Sequence, residues 1–267
     1  MIPRYLLLFM CVGLLTARAS FVHAAPPARD IMQQVNDRDD GDNGISDLEM
    51  VLVDRNGHER HRRIRSHTKD QGKDKHRIMF FLEPADVKDT AFLTYDYDAV
   101  ERDDDQWLYL PALRKSKRIA SSDTSGSFMG SDFSYADMTR KNLDAYDFRL
   151  VKEEEVRGAK TWLIEAVPNT EKEITETGYT KSLLFVQQDT FMVVRVVHWV
   201  KDGNRLKYLD TPRIERIDGI WTATEMTMTT KHGQTTEHHT IMRFHDVRYN
   251  QSLPADMFSV RRLEQGS

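Results

Sequence analysis

The groups in this chain that could do chemistry are ten histidines, forty-two carboxylates and one cysteine, and their spacing decides what they can do. His232, His238, His239 and His245 fall within one predicted hairpin, with His198 as a further candidate. A zinc site needs three or four ligands converging at about 2 Å. On a strand His238 and His239 point to opposite faces, and only His239 and His245 share one. The pattern reads as solvated or hydrogen-bonding histidines, and no metal ligand is assigned. There is no Gly-x-Ser-x-Gly elbow, no His-Glu-x-x-His and no phosphate-binding glycine loop. Asp103, Asp104 and Asp105 form an acidic run between predicted strands, which favours a solvated loop over the paired carboxylates of a hydrolase. Cys11 lies in an N-terminal apolar stretch, so a processed chain has no disulfide, no thiol nucleophile and no Cys-ligated metal. No catalytic residue and no cofactor is assigned.

Residues 106–138 carry the strongest signal for binding. Trp107 and Tyr109 belong to a short aromatic and aliphatic run that Pro111 stops, because proline cannot donate to a strand ladder. Arg114, Lys115, Lys117 and Arg118 follow as a basic run. On a strand Arg114 and Arg118 face one way, as candidates for an anionic headgroup or an acidic partner, although a solvated edge is the simpler reading. A polar loop at 121–127 then leads into Phe128, Met129, Phe133, Tyr135 and Met138. Ser134 and Asp137 have the spacing of a capping box for one helical turn. A mobile polar loop before large apolar side chains suits a lid over an apolar interior, and equally a plug beneath a long loop. Met226 and Met228, on one face of a later strand, join these residues as candidates to line a cavity, since methionine adapts to irregular ligands.

The elements that must position these residues are mostly strands. Residues 26–38 carry Ala28, Ile31, Met32 and Val35 at helical spacing and open with a helix. Strand-like runs follow at 46–54, 59–68, 75–82 and 90–97, the first pair joined at Asn56-Gly57, a strong hairpin signal. Further runs occupy 147–153, 160–167, 180–187, 192–200, 205–210, 220–231 and 236–249, and 254–258 is a closing helical turn. Roughly ten strands at regular spacing predict one all-β sheet or partial barrel.

Charge and the N-terminus narrow the class further. The net charge is −4, and becomes −6 without Arg4 and Arg18, which argues against nucleic acid. Arg4, the apolar stretch 5–15 and Val22-His23-Ala24 read as a cleavable secretory leader at 1–24. Residues 25–267 are then expected to form a single domain.

The string WLYLPALRK…RI followed by FMGSDFSYADM, with PADMF near the C-terminus, resembles the bacterial outer-membrane lipoprotein-sorting proteins, relatives of the LolA/LolB/RseB carrier fold. The resemblance implies a periplasmic protein that is mainly β. Its expected fold is a single strongly curved antiparallel sheet, open or half barrel, with a few helices and an apolar cavity on the concave side. It tilts the lid-or-plug choice toward a lid. It implies a carrier of a lipid or of lipoprotein acyl chains, with an inner-membrane RND-type exporter as partner. A lipid sensor that signals to a protein partner, and a hydrolase with an unrecognised site, are the alternatives.

Overall fold

The computed structural model describes residues 25–266. The predicted leader, with Arg4, Cys11 and the Val22-His23-Ala24 cleavage site, lies outside the described residues. Among those residues no helix is long and apolar enough to cross a membrane.

Thirteen strands form one antiparallel sheet. They are β1 (Asn43–Asp54), β2 (Glu59–Gln71), β3 (Asp74–Glu83), β4 (Ala91–Asp96), β5 (Asp105–Leu110), β6 (Lys115–Ile119), β7 (Tyr146–Val156), β8 (Ala159–Pro168), β9 (Tyr179–Gln187), β10 (Val193–Val200), β11 (Arg205–Ile217), β12 (Ile220–His232) and β13 (Thr235–Tyr249). The helices are α1 (Ala28–Asn36), α2 (Glu171–Thr177) and α3 (Val260–Gln265). From β1 the chain winds outward strand by strand to β6 at one edge. From β7 at the other edge it winds back until β13 pairs with β1 in the middle. Each consecutive pair is a hairpin except β6–β7. Residues 120–145 therefore cross the sheet from edge to edge.

Strand alternation divides the side chains between two faces. The inner face, which carries the crossing segment, holds Leu48, Met50, Leu52, Ile64, Phe92, Leu108, Met228 and Met242 in one cluster. Further round, Trp162, Ile164, Leu184 and Val196 pack with Ile31 and Met32 of α1. Leu209 borders both clusters. The outer face holds Ile78, Phe80 and Leu93 against Met257, Phe258 and Leu263 of the C-terminal region.

Three sequence expectations need correction. The helix expected at 254–258 falls instead at α3, where the Ser259 hydroxyl caps the Arg262 amide, and it covers the outer face rather than the concave one. The run expected to end at 210 continues through Pro212 to Ile217, because the register shifts between Asp210 and Arg213 and the proline needs no ladder partner there. Helix α2 was not foreseen. Thr170 accepts from the Glu173 amide at its start, and Gly178 (φ 74°) ends it in the left-handed region. A Cβ on Gly178 would lie 3.0 Å from the Ser125 Cβ, so glycine lets the crossing segment approach.

Leu263 is fully buried in the outer cluster. Leu263→Ala should therefore cost about 2–5 kcal/mol in urea unfolding. A cost below 1 kcal/mol would mean that α3 is not docked in solution.

Candidate functional site

The crossing segment folds back on itself over the inner face. The Phe128 amide donates to the Phe133 carbonyl at 2.8 Å, and the Ser131 amide donates to the Phe128 carbonyl at 2.9 Å. Met129 (φ 52°) and Gly130 (φ 74°) make the tight turn between them. The predicted capping box is present: the Ser134 hydroxyl accepts from the Asp137 amide, and the Asp137 carboxylate accepts from the Ser134 amide at 2.8 Å. The turn directs Phe128 into the sheet, where it is fully buried, its ring 5.0 Å from Phe92 and 5.6 Å from Tyr135.

Phe128, Phe133 and Met138 are buried here, with Met129 and Tyr135 partly so, and Met226 and Met228 lie in the same cluster. Cross-strand register aligns Met50 with Met242 and Met242 with Met226, a methionine row across three central strands. Seven of the twelve methionines belong to this cluster: Met50, Met79, Met226, Met228 and Met242 on the sheet, and Met129 and Met138 on the segment that covers it. Trp107 and Tyr109 lie elsewhere. Their parity on β5 turns them to the outer face, with Trp107 5.0 Å from Tyr95. Arg114 (φ 48°) sits in the β5–β6 turn, while Arg118 is paired with Asp105 at 2.8 Å.

Polar side chains rising from the inner face hold the backbone of this segment. Arg62 donates to the Met129 carbonyl at 2.5 Å, Gln106 to Tyr135 at 2.9 Å and Arg77 to Met138 at 3.0 Å. At the tip, the buried Asp132 carboxylate accepts from Thr230 at 2.5 Å and Thr240 at 2.7 Å, and it pairs with the His238 ring. The Asp132 amide returns a bond to the Thr240 hydroxyl at 3.0 Å. Sequence reasoning missed this latch, because Asp132 lies about a hundred residues before Thr230, His238 and Thr240 and the four form no recognisable motif.

A second polar cluster lies deeper. The Tyr179 hydroxyl donates to Asp137 at 3.0 Å and its ring stacks on His198 at 4.1 Å. Burial, with Lys141 adding to it, pushes the His198 imidazole down to about 3, so it stays neutral. Its Nδ1 lies 2.7 Å from the Ser182 hydroxyl. Ser182 and His198 are both buried, and neither lines either pocket described below.

The pockets are polar. One of about 470 Å³ opens between α1, the β4–β5 turn, the crossing segment and α2. Another of about 200 Å³ lies by β2 and β3, beyond the Thr139–Arg140 strap. Arg140 bonds Asp96 between them at 2.9 Å. The apolar inner face itself is covered by the crossing segment. Burial, with the Asp96 charge adding to it, pushes the Asp104 carboxyl up to about 7. Among the described residues, no three His, Cys, Asp or Glu side chains converge as a metal site would require.

Two outcomes follow from this geometry. Asp132→Asn keeps the shape but weakens the latch, and should cost about 1.5–3 kcal/mol of stability. It should also admit protease cleavage within 121–138 at concentrations that leave the parent intact. For Asp104, the folded protein keeps a proton between about pH 4 and 7 that the unfolded chain, at 3.8, has released. The group therefore subtracts stability as pH rises through that window. Asp104→Asn should gain about 2–4 kcal/mol on the parent between pH 4 and pH 8, and a flat difference would show that Asp104 titrates normally.

Comparisons place the chain among known proteins. A family model described as an uncharacterized protein matches residues 73–265. No curated protein matches. A DUF1329 family protein from Desulfovibrio piger ATCC 29098 is 30% identical with a TM-score of 0.80, over 88% of this chain and 97% of that one. A domain assigned to the outer membrane lipoprotein-sorting proteins, from Vibrio parahaemolyticus, is 30% identical with a TM-score of 0.79, over 89% and 98%. A LolA superfamily protein from Nitrosomonas europaea shares the fold, at 18% identity and a TM-score of 0.65, over 89% and 100%. With 30% identity sustained over nearly the whole of a solved member, the chain belongs to the DUF1329 family.

Proposed function

We propose that this protein is a periplasmic carrier whose inner face takes a lipid, or the acyl chains of a lipoprotein, in place of the crossing segment. The observation that carries the reading is the surface beneath Phe128: a methionine-rich apolar sheet face covered by one irregular segment. Methionine repacks around irregular chains more readily than branched residues do. Each methylene of an acyl chain is worth about 0.8 kcal/mol on leaving water, so a dry groove with a movable cover suffices. The relative from Vibrio parahaemolyticus, described as a lipoprotein-sorting domain, supports the same class of cargo.

Under this reading Met226 and Met228 contact the cargo from the sheet, and Phe128, Met129, Phe133 and Tyr135, lifted from the sheet with their segment, close over it as a lid. Trp107 and Tyr109, on the outer face, do not. Arg114, exposed in the β5–β6 turn, is the candidate contact for a headgroup or for a membrane partner such as an RND-type exporter. Residues 1–24 act as the leader and 25–267 as one lipid-binding domain. The role is carriage rather than turnover.

If the segment and the cargo compete for one surface, loosening the segment should tighten binding. Asp132→Asn leaves every apolar side chain in place, so it should bind a fluorescent undecanoic acid about tenfold more tightly than the parent. Mass spectrometry of the protein extracted from its native periplasm should also find a co-purifying acyl lipid. The proposal fails if neither parent nor variant binds the probe and no lipid is extracted.

A further inference from the structure

The inner face changes character along β4 and β5. Their register places Thr94 opposite Gln106 and Tyr95 opposite Asp105. Alternation then puts Thr94, Asp96, Asp104 and Gln106 on the inner side, in line with the apolar Phe92 and Leu108. Within one or two strand positions the surface passes from apolar to acidic, at the wall of the 470 Å³ pocket.

Two features of that wall look for a hydrogen-bond donor. Gln106 is 1% exposed; its amide nitrogen is used by the Tyr135 carbonyl, but its Oε1 has no partner. Asp104 accepts from the Tyr97 amide at 2.9 Å and from the Thr139 hydroxyl, both neutral donors, while Arg140, the basic group acting on it, is already paired with Asp96 at 2.9 Å. Leaving a buried acceptor unmade is costly, and a carboxylate beside it accepts most strongly from a charged donor. The pocket's own cations do not fill the role. Arg29 and Lys172 are held by Asp144 and Asp103, Arg102 lies over the Tyr97 ring beside Asp105, and Lys141 lies by the Tyr146 and Tyr179 rings.

We propose that this pocket binds a primary ammonium group between the Asp104 carboxylate and the Gln106 amide oxygen. The N–H donors of a primary ammonium match one charged and one neutral acceptor. A quaternary ammonium has no N–H and would leave Gln106 unsatisfied. The volume suits a small polar group. The ammonium can come from a phosphoethanolamine-type lipid headgroup or from a free amine. The site stands apart from the acyl-chain reading, because probes without an acyl chain test it.

The test is calorimetric titration of the protein at pH 8, where Asp104 is ionised beside the Asp96–Arg140 pair. Glycerophosphoethanolamine should bind, and glycerophosphocholine should bind at least about tenfold more weakly. Asp104→Asn, confirmed folded by its melting curve, should lose about tenfold for the ethanolamine compound. Ethanolamine alone binding as tightly would support the site and identify a free amine as its ligand. Weaker binding of ethanolamine alone would support the site and identify the phosphorylated headgroup. No heat with glycerophosphoethanolamine, equal binding of the choline compound, or an unchanged affinity in folded Asp104→Asn would overturn the proposal. The choline comparison uses the parent protein and decides the question even if the variant does not fold.

Discussion

The structure depends on one constraint: an open sheet with an apolar inner face must cover that face with something. A closed barrel covers its interior with its own strands. Here β6 and β7 remain edges, and residues 120–145 join them by lying across the interior. An irregular segment in an apolar setting carries backbone groups that water cannot reach. Arg62, Arg77 and Gln106 therefore rise from otherwise apolar strands to meet the carbonyls of Met129, Met138 and Tyr135. The polar residues on the inner face follow from what covers it.

The two kinds of contact differ in what can replace them. The burial of Phe128, Phe133 and Met138 is non-directional, and any apolar chain of similar volume could recover most of it. The bonds to Asp132 have fixed partners in Thr230, Thr240 and His238. An alkyl chain cannot reproduce them. Displacing the segment thus exchanges apolar contacts at little net cost, and the barrier lies in the latch and the carbonyl bonds. The sheet and the segment that covers it are tied at a few polar atoms.

Much of the sheet was legible because strand signals are local. Period-two runs, the Asn56-Gly57 turn and the Ser134/Asp137 capping box each depend on residues within a few positions. What failed depended on distant residues. Trp107 and Tyr109 show clear alternation with Leu108, but alternation does not say which parity faces inward, and that is fixed by where Phe128 and α3 pack. The strand through Pro212 survives because of a register shift that only the partner strand reveals. Helix α2 did carry a signal in Thr170, Glu173 and Gly178, a cap and a stop around seven residues. Its shortness hid it among the turn residues that separate strands. The Asp132 latch joins one residue of the crossing segment to two late strands, and no spacing along the chain announces it.

The crossing segment also divides the inner surface into unlike compartments. On the side of β1, β12 and β13 it rests on methionine and leucine. Toward α1 and α2 it borders the polar pocket, with Thr139 and Arg140 as the strap beside Asp96. Gln106 sits on the boundary, its amide nitrogen bonded to the Tyr135 carbonyl and the residue itself among those lining the pocket. A molecule with an apolar chain and a polar head would need surfaces of both kinds within one molecular length. This fold supplies them on adjacent strands because β4 and β5 change from apolar to acidic over a few residues. If the inner face takes such a molecule, the polarity of those strands at 92–96 and 104–108 is as much a part of the proposed binding surface as the methionine row.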